Sequence, residues 1–185
     1  LRAAARLLDR DPSLRSRMVV PVVGGPSGSG LAKPEGLQKL AARLGIADIV
    51  RFHPPVGQER LADWFRAASV LVMPSYSESF GLVAIEAQAA GTPVVAAAVG
   101  GLPVAVRDDV TGFLVQGHDP ADYARALGRF VDDPSLSARM GEAAAAHASS
   151  FGWDTAASAT ADVYTAAVHD HRLRENRRRV RSHHG

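Results

Sequence analysis

Apolar and polar positions along the chain come in blocks whose period switches repeatedly between that of a strand and that of a helix. Met18-Val19-Val20-Pro21-Val22-Val23 is a continuous apolar run ending at Gly24-Gly25, the pattern of a strand buried on both faces. Leu37, Leu40, Ala41 and Leu44 then recur at i, i+3, i+4 and i+7, one face of a helix, with Gly45 placed to end it. Residues 49 to 52 predict a short strand, and Leu61, Trp64, Phe65 and Ala68 the next helical face. Val70-Leu71-Val72-Met73 follows as a strand, then a helix from about Gly81 to Ala90 and a strand over 93 to 97. Residues 111 to 115 predict the fifth strand, and Tyr123, Ala126, Leu127, Phe130 and Val131 the helix behind it. Two Ala-rich helices complete the pattern, broken near Phe151-Gly152-Trp153.

Five strands separated by helices predict an α/β protein with a doubly wound, Rossmann-like parallel sheet covered on both faces. Sheets of this kind bind ligands at the carboxyl ends of their strands. The chain opens on "LRAAARLL", a helical pattern with no cap and no strand before it. The expectation is therefore a piece of a longer polypeptide that lacks at least a first strand. Residues 1–168 are expected to form the domain, and residues 169–185 a basic, disordered tail.

Composition narrows the chemistry. Apolar content of 46% with 22% charged residues is ordinary for a globular protein. No apolar run has the length of a membrane helix, and the opening residues do not read as a signal peptide. With no cysteine, disulfides, zinc–thiolate sites and thiol nucleophiles are excluded, and a cytoplasmic location fits. The sequence pI of about 9.4 suggests nucleic acid until the charges are located. Arg172, Arg174, Arg177, Arg178, Arg179 and Arg181 against Glu175 give the terminal segment +5, so from a total of +2 the body keeps −3. A like-charged run at a terminus reads as a solvated end, and no aromatic residue interleaves it as nucleic-acid binding would favour.

Most candidate motifs fall to a plainer reading. "GGPSGSGLAKP" (residues 24 to 34) has Leu31 where a phosphate-binding Walker loop needs Lys, and it lacks the third glycine of a dinucleotide loop. A flexible loop and a ligand-facing loop both remain open for it. Asp9-Arg10-Asp11 resembles a metal-binding acidic motif of some sugar transferases, but its place before Pro12 favours a solvated turn. The histidines are scattered, and no metalloprotease motif, triad order or nucleophile elbow is present.

"SESFGLVAIEA" (residues 77 to 87) is different. It begins past a buried strand, at the carboxyl edge of the sheet, and Ser79-Phe80-Gly81 leads into a helix. The first amides of a helix lack intrahelical partners and the helix dipole favours anions there, so Phe80, Gly81 and Leu82 offer a phosphate site that Gly81 keeps open. Glu78 would face what lies beyond the phosphates. Glu86 sits about a turn and a half into an otherwise apolar helix, and the vicinal hydroxyls of a ribose would match its two oxygens. A capping Glu78 and a solvated Glu86 are the alternatives, each the simpler reading when taken alone.

Glu78-Ser79-Phe80-Gly81-Leu82 with Glu86, then Gly91-Thr92-Pro93-Val94, Val99-Gly100-Gly101 and "TGFLV" at 111 to 115, resembles the retaining GT-B glycosyltransferases of family GT4. The likeness covers residues 1 to about 168, and within the family it is strongest to the enzymes that glycosylate inositol phosphate in mycothiol biosynthesis. It implies that this chain is the C-terminal, donor-binding half of a two-domain enzyme that moves N-acetylglucosamine from UDP-GlcNAc to 1D-myo-inositol 3-phosphate. A transferase with another acceptor and a non-catalytic nucleotide-sugar-binding module are the alternatives.

Carried over by position, Glu86 would bind the ribose hydroxyls and Phe80, Gly81 and Leu82 the diphosphate and sugar. Glu78, the catalytic candidate, would hold hydroxyls of the transferred sugar. The segment at Pro55 and Val56 would hold the base. The resemblance further implies a magnesium ion at Phe65, Arg66, Ala68 and Thr92, and it leaves room for a homodimer. The family's diphosphate-neutralising Arg and Lys, and its acceptor site, are expected outside this chain.

Overall fold

The structure is a computed structural model, and it describes residues 1–25 and 34–182. Its most constrained element is β4 (Val94–Ala97), a Val-Val-Ala-Ala strand buried at every position. Because side chains alternate across a strand, β4 feeds two cores at once. Val94 and Ala96 pack with Phe65, Met73, Ala84, Ala87 and Leu102 on one side. Val95 and Ala97 pack with Phe113, Val115, Tyr123, Phe130 and Met140 on the other. A strand apolar on both faces belongs in the middle of a parallel sheet. β4 lies between β3 (Leu71–Met73) and β5 (Gly112–Val115), paired in parallel with both.

The helices of this half follow the sequence pattern. α3 (Gln58–Ala67) precedes β3, and α4 (Leu82–Ala89) crosses from β3 to β4. α4 buries Ala84, Ala87 and Gln88, an i, i+3, i+4 set that faces inward. Between β4 and β5 the chain makes a short helix, α5 (Leu102–Ala105), that sequence periodicity did not predict. Four residues carrying Pro at the start are too few to show a helical repeat. α6 (Pro120–Asp132) follows β5, capped by Asp119, whose carboxylate accepts the Ala121 amide at 2.8 Å. α7 (Leu136–Ala148) packs on α4 closely enough that a side chain at Gly141 would strike the Gly91 carbonyl.

A second ladder joins β1 (Val20–Val23) to β2 (Val50–His53), again in parallel, with α2 (Pro34–Arg43) between them. α1 (Arg2–Arg10) buries Ala4, Ala5, Leu7 and Leu8 in a third core with Ile46, Ile49 and Val50. The doubly wound parallel architecture expected from the sequence is present, but its hydrogen bonds run in two ladders instead of one. Among the described residues no ladder joins β1–β2 to β3–β4–β5.

Leu1–Ala148 form one compact unit, and a second begins at Ser149. The second unit holds a short 3₁₀ turn and α8 (Trp153–Ser182). The boundary expected at residue 168 lies inside α8, as does the start of the expected tail. Residues 26 to 33, the centre of the Gly- and Ser-rich segment considered as a ligand-facing loop, lie outside the described residues.

The joint between α6 and α7 is held by one carboxylate. Asp133 accepts the Ser135 amide at 3.0 Å and its hydroxyl at 2.6 Å, and pairs with Arg139 at 2.7 Å. Arg139 first, and Ser135 second, hold the Asp133 carboxyl down at about 2. A carboxyl lowered by folding contributes stability above its unfolded value, near 3.8, and loses it as pH falls through the folded value. Asp133→Asn should therefore lower the melting temperature at pH 7. The gap to the parent protein should narrow below about pH 4 and close near pH 2, read from thermal melts across that range.

Candidate functional site

The loop from Pro74 to Gly81 leaves the carboxyl end of β3 and enters α4. Gly81 is the N-cap of that helix, in the left-handed region at φ 93°, and a β-carbon there would come within 2.8 Å of Leu102 Cδ2. Both the backbone conformation and the lack of room call for glycine. No side chain caps α4, and its first turn holds no acidic residue, so its positive end faces outward unopposed. Leu82 and Val83 in that turn are exposed. Glu86 lies three and four residues further on and shares their face of the helix.

Glu78 and Glu86 are each half-buried. Among the described residues neither carboxylate has a hydrogen-bond donor or ion-pair partner. The structure thus brings Glu78, Phe80, Gly81, Leu82 and Glu86 together at one sheet edge, on a single loop and the helix it opens. Val56, expected at the base, stands in the loop after β2, at the carboxyl end of the other ladder. There Pro55 presses on Gly25, whose β-carbon would meet Pro55 Cγ at 3.0 Å.

The aim of Glu78 is set by its backbone. Its carbonyl accepts the Gly101 amide at 3.1 Å, from the loop that leaves β4. A β-carbon at Gly101 would lie 2.5 Å from the Ser79 oxygen and 2.6 Å from Phe80 Cα, and one at Gly100 would collide with the Glu78 carbonyl. The Gly100-Gly101 pair, recognised in the sequence only as part of a motif, is what lets these two loops touch. Buried Gln88 supports the arrangement from below, its amide donating to Ala84 O at 3.1 Å and to Ala105 O at 2.7 Å.

His118 was not singled out by its sequence context. It follows β5 in the short turn Gln116-Gly117-His118-Asp119, and its Nε2 lies 3.0 Å from the Ser75 carbonyl, so that nitrogen carries the proton. Its ring stacks on Tyr76 with centroids 4.0 Å apart. The signal available was positional: this turn, too, lies at the carboxyl edge of the sheet. Nearby, the Tyr123 hydroxyl is buried without a hydrogen-bond partner among the described residues. Burial, and secondarily the charge of Tyr76, push its phenol upward.

The positions suggested for magnesium do meet. The Thr92 hydroxyl donates to the Phe65 carbonyl at 2.5 Å, and the Ala68 amide donates to the same oxygen at 2.9 Å. Arg66 is engaged instead with Asp63, at 2.6 Å. The Phe65 and Thr92 oxygens that a cation would need are already paired within the protein, and a hard ion prefers several free oxygens, carboxylates among them. The fit is poor, and no step below is routed through a metal. Among the described residues no group of three His, Cys, Asp or Glu could hold one. The Asp9-Arg10-Asp11 segment is structural, with Arg10 paired to Asp132 at 2.9 Å and Asp11 capping the turn at Ser13. No helix among the described residues is long and apolar enough to cross a membrane.

The family model described as "Glycosyl transferases group 1" matches residues 1–147. The chain belongs to that family. Its relatives include the D-inositol 3-phosphate glycosyltransferase of Streptomyces griseus subsp. griseus, 86% identical over all of this chain and 38% of that protein. The chain thus spans less than half the length of that relative. Among solved structures, the sucrose-phosphate synthase of Thermosynechococcus elongatus superposes with a TM-score of 0.76 at 32% identity, over 91% of this chain and 42% of that one. HepE of Anabaena, solved in complex with UDP and glucose, superposes with a TM-score of 0.70 at 25% identity, over 88% of this chain and 44% of its own. The unit built around β3, β4 and β5 is thus the α/β architecture of the GT-B members of this family.

Gly101 has an ordinary negative φ, so replacing it with Ala tests the contact alone. Gly101→Ala should cost about 1–3 kcal/mol in urea unfolding, the usual penalty for overpacking. It should also shift the amide resonances of residues 78 to 82 while leaving those of β1 in place. Unchanged stability with unchanged resonances would show that the two loops do not meet.

Proposed function

We propose that this chain is the donor-binding half of a retaining glycosyltransferase that moves N-acetylglucosamine from UDP-GlcNAc to 1D-myo-inositol 3-phosphate, a step of mycothiol biosynthesis. The observation that carries the reading is the pair of half-buried carboxylates that find no donors among the described residues, one on each side of an uncapped helix start. Carboxylates in that position are costly unless water or a ligand supplies donors. The start of α4 suits a diphosphate, its first amides lacking partners within the helix and directed at the oxygens. Glu86 then takes the ribose diol and Glu78 the hydroxyls of the sugar being transferred. The base would lie toward Pro55 and Val56.

In this reading the chain contributes to catalysis by electrostatics and placement. Amides at Phe80, Gly81 and Leu82 stabilise the charge that builds on the departing diphosphate, and Glu78 fixes the sugar so that an acceptor hydroxyl can approach from the face the diphosphate leaves. The acceptor and the cationic side chains that neutralise the diphosphate would come from elsewhere in the protein. The names of the Streptomyces relatives support the acceptor, and the HepE complex supports a UDP-sugar as donor.

The chain by itself should bind UDP-GlcNAc weakly and transfer no sugar. Joined to the amino-terminal portion of the Streptomyces griseus relative, it should form product with inositol 3-phosphate, measured as UDP release. In that joined enzyme Glu86→Ala should weaken UDP binding by about 1.5–3 kcal/mol, the range for hydrogen bonds to a charged group. Transfer by the chain alone, or a Glu86→Ala loss of only a few tenths of a kcal/mol, would remove the reading.

A further inference from the structure

The Glu78 side chain has no donor among the described residues, so its direction depends on how the loop beneath it is fixed. Gly101 fixes one point, the Glu78 carbonyl, from the loop after β4. A second point lies three residues upstream. His118 reaches from the loop after β5, across the end of β4, to the Ser75 carbonyl in the loop after β3. Its ring also lies flat against Tyr76, with an interplanar angle of 6°. Only Tyr76 and Ser77 separate the two held carbonyls, and Glu78 is the first side chain beyond them.

His118 is itself held on both sides. Gly117, at φ 78°, makes a turn that only glycine takes easily, and Asp119 is locked into the N-cap of α6. The half-buried ring is therefore carried on a rigid support, with its N–H aimed at a carbonyl 43 residues away in sequence. A long-range bond between two loops at one sheet edge adds nothing to either core. What it constrains is the loop that carries Glu78.

We propose that His118 is a positioning residue for Glu78, holding Ser75 and Tyr76 so that the carboxylate meets the sugar end of the donor. The proposal rests on the donor reading of Glu78 given above. It acts on the sugar and not on the nucleotide, because Glu86 and the start of α4 lie beyond the Gly101 contact.

The test separates three substitutions. His118→Phe keeps a ring for Tyr76 and removes the N–H, His118→Gln keeps an N–H without the ring, and Glu78→Gln probes the underlying reading. In this chain, His118→Phe should speed hydrogen exchange at the Gly101 amide about three- to tenfold, the weight of one hydrogen bond. Exchange on β4 should not change, and His118→Gln should recover part of the protection. In the joined enzyme, His118→Phe should weaken UDP-GlcNAc binding by a similar factor while UDP binding stays within about twofold. Unchanged Gly101 exchange, or equal losses for UDP and UDP-GlcNAc, would overturn the proposal. If Glu78→Gln leaves the preference for UDP-GlcNAc over UDP intact, the donor reading of Glu78 fails instead, and Gly101 exchange still decides whether His118 holds the loop.

Discussion

The candidate site depends on an approach of backbone to backbone. The loop after β4 lies against the loop after β3 so closely that neither Gly100 nor Gly101 has space for a β-carbon. The gain is a hydrogen bond from Gly101 to the Glu78 carbonyl in place of side-chain packing. A contact between main chains is short and directional, and it engages the Glu78 carbonyl without engaging the Glu78 side chain. Gly81 is crowded differently, by the side chains of Leu102 and Ala105. Gly100 and Gly101 thus bring peptide groups of two loops together at the end of a buried sheet, which suits a ligand rich in phosphate oxygens and hydroxyls.

That surface stands on β4. A strand buried on both faces has little freedom to shift, and the loops at its end inherit this restraint. α4 is seated by small residues, Ala84 and Ala87, and by Gln88, whose amide ties it to the end of α5. The helix can therefore show Leu82, Val83 and Glu86 outward without loss of its inner packing. Stability and exposure are divided between two faces of one eight-residue helix.

Much of this was legible in the residues. Apolar runs and helix periods located all five strands and the helices that pack on them, because each of these elements buries apolar residues in a pattern the sequence keeps. Glu78, Gly81 and Glu86 could be picked out because a glycine at a strand-to-helix junction and a charge in an apolar helix both violate local expectation. What escaped was of another kind. α5 is too short to have a period, and the break between the two ladders concerns pairing, which no single strand encodes. His118 acts through a carbonyl 43 residues away, and an acceptor of that sort has no residue type to give it away. Val56 was placed by resemblance, and it occupies the carboxyl end of the other ladder.

The break between the ladders has a consequence for the molecule in solution. Among the described residues β1 and β3 each pair along one side only, and Val19 beside β1 and Val72 within β3 are exposed. Open strand edges with apolar side chains are templates for other strands, the feature that natural sheets hide with charge, proline or a covering element. Here Pro21 interrupts β1, while the three residues of β3 are all apolar. Among the described residues β3 is therefore the open edge on which a further strand would pair most readily.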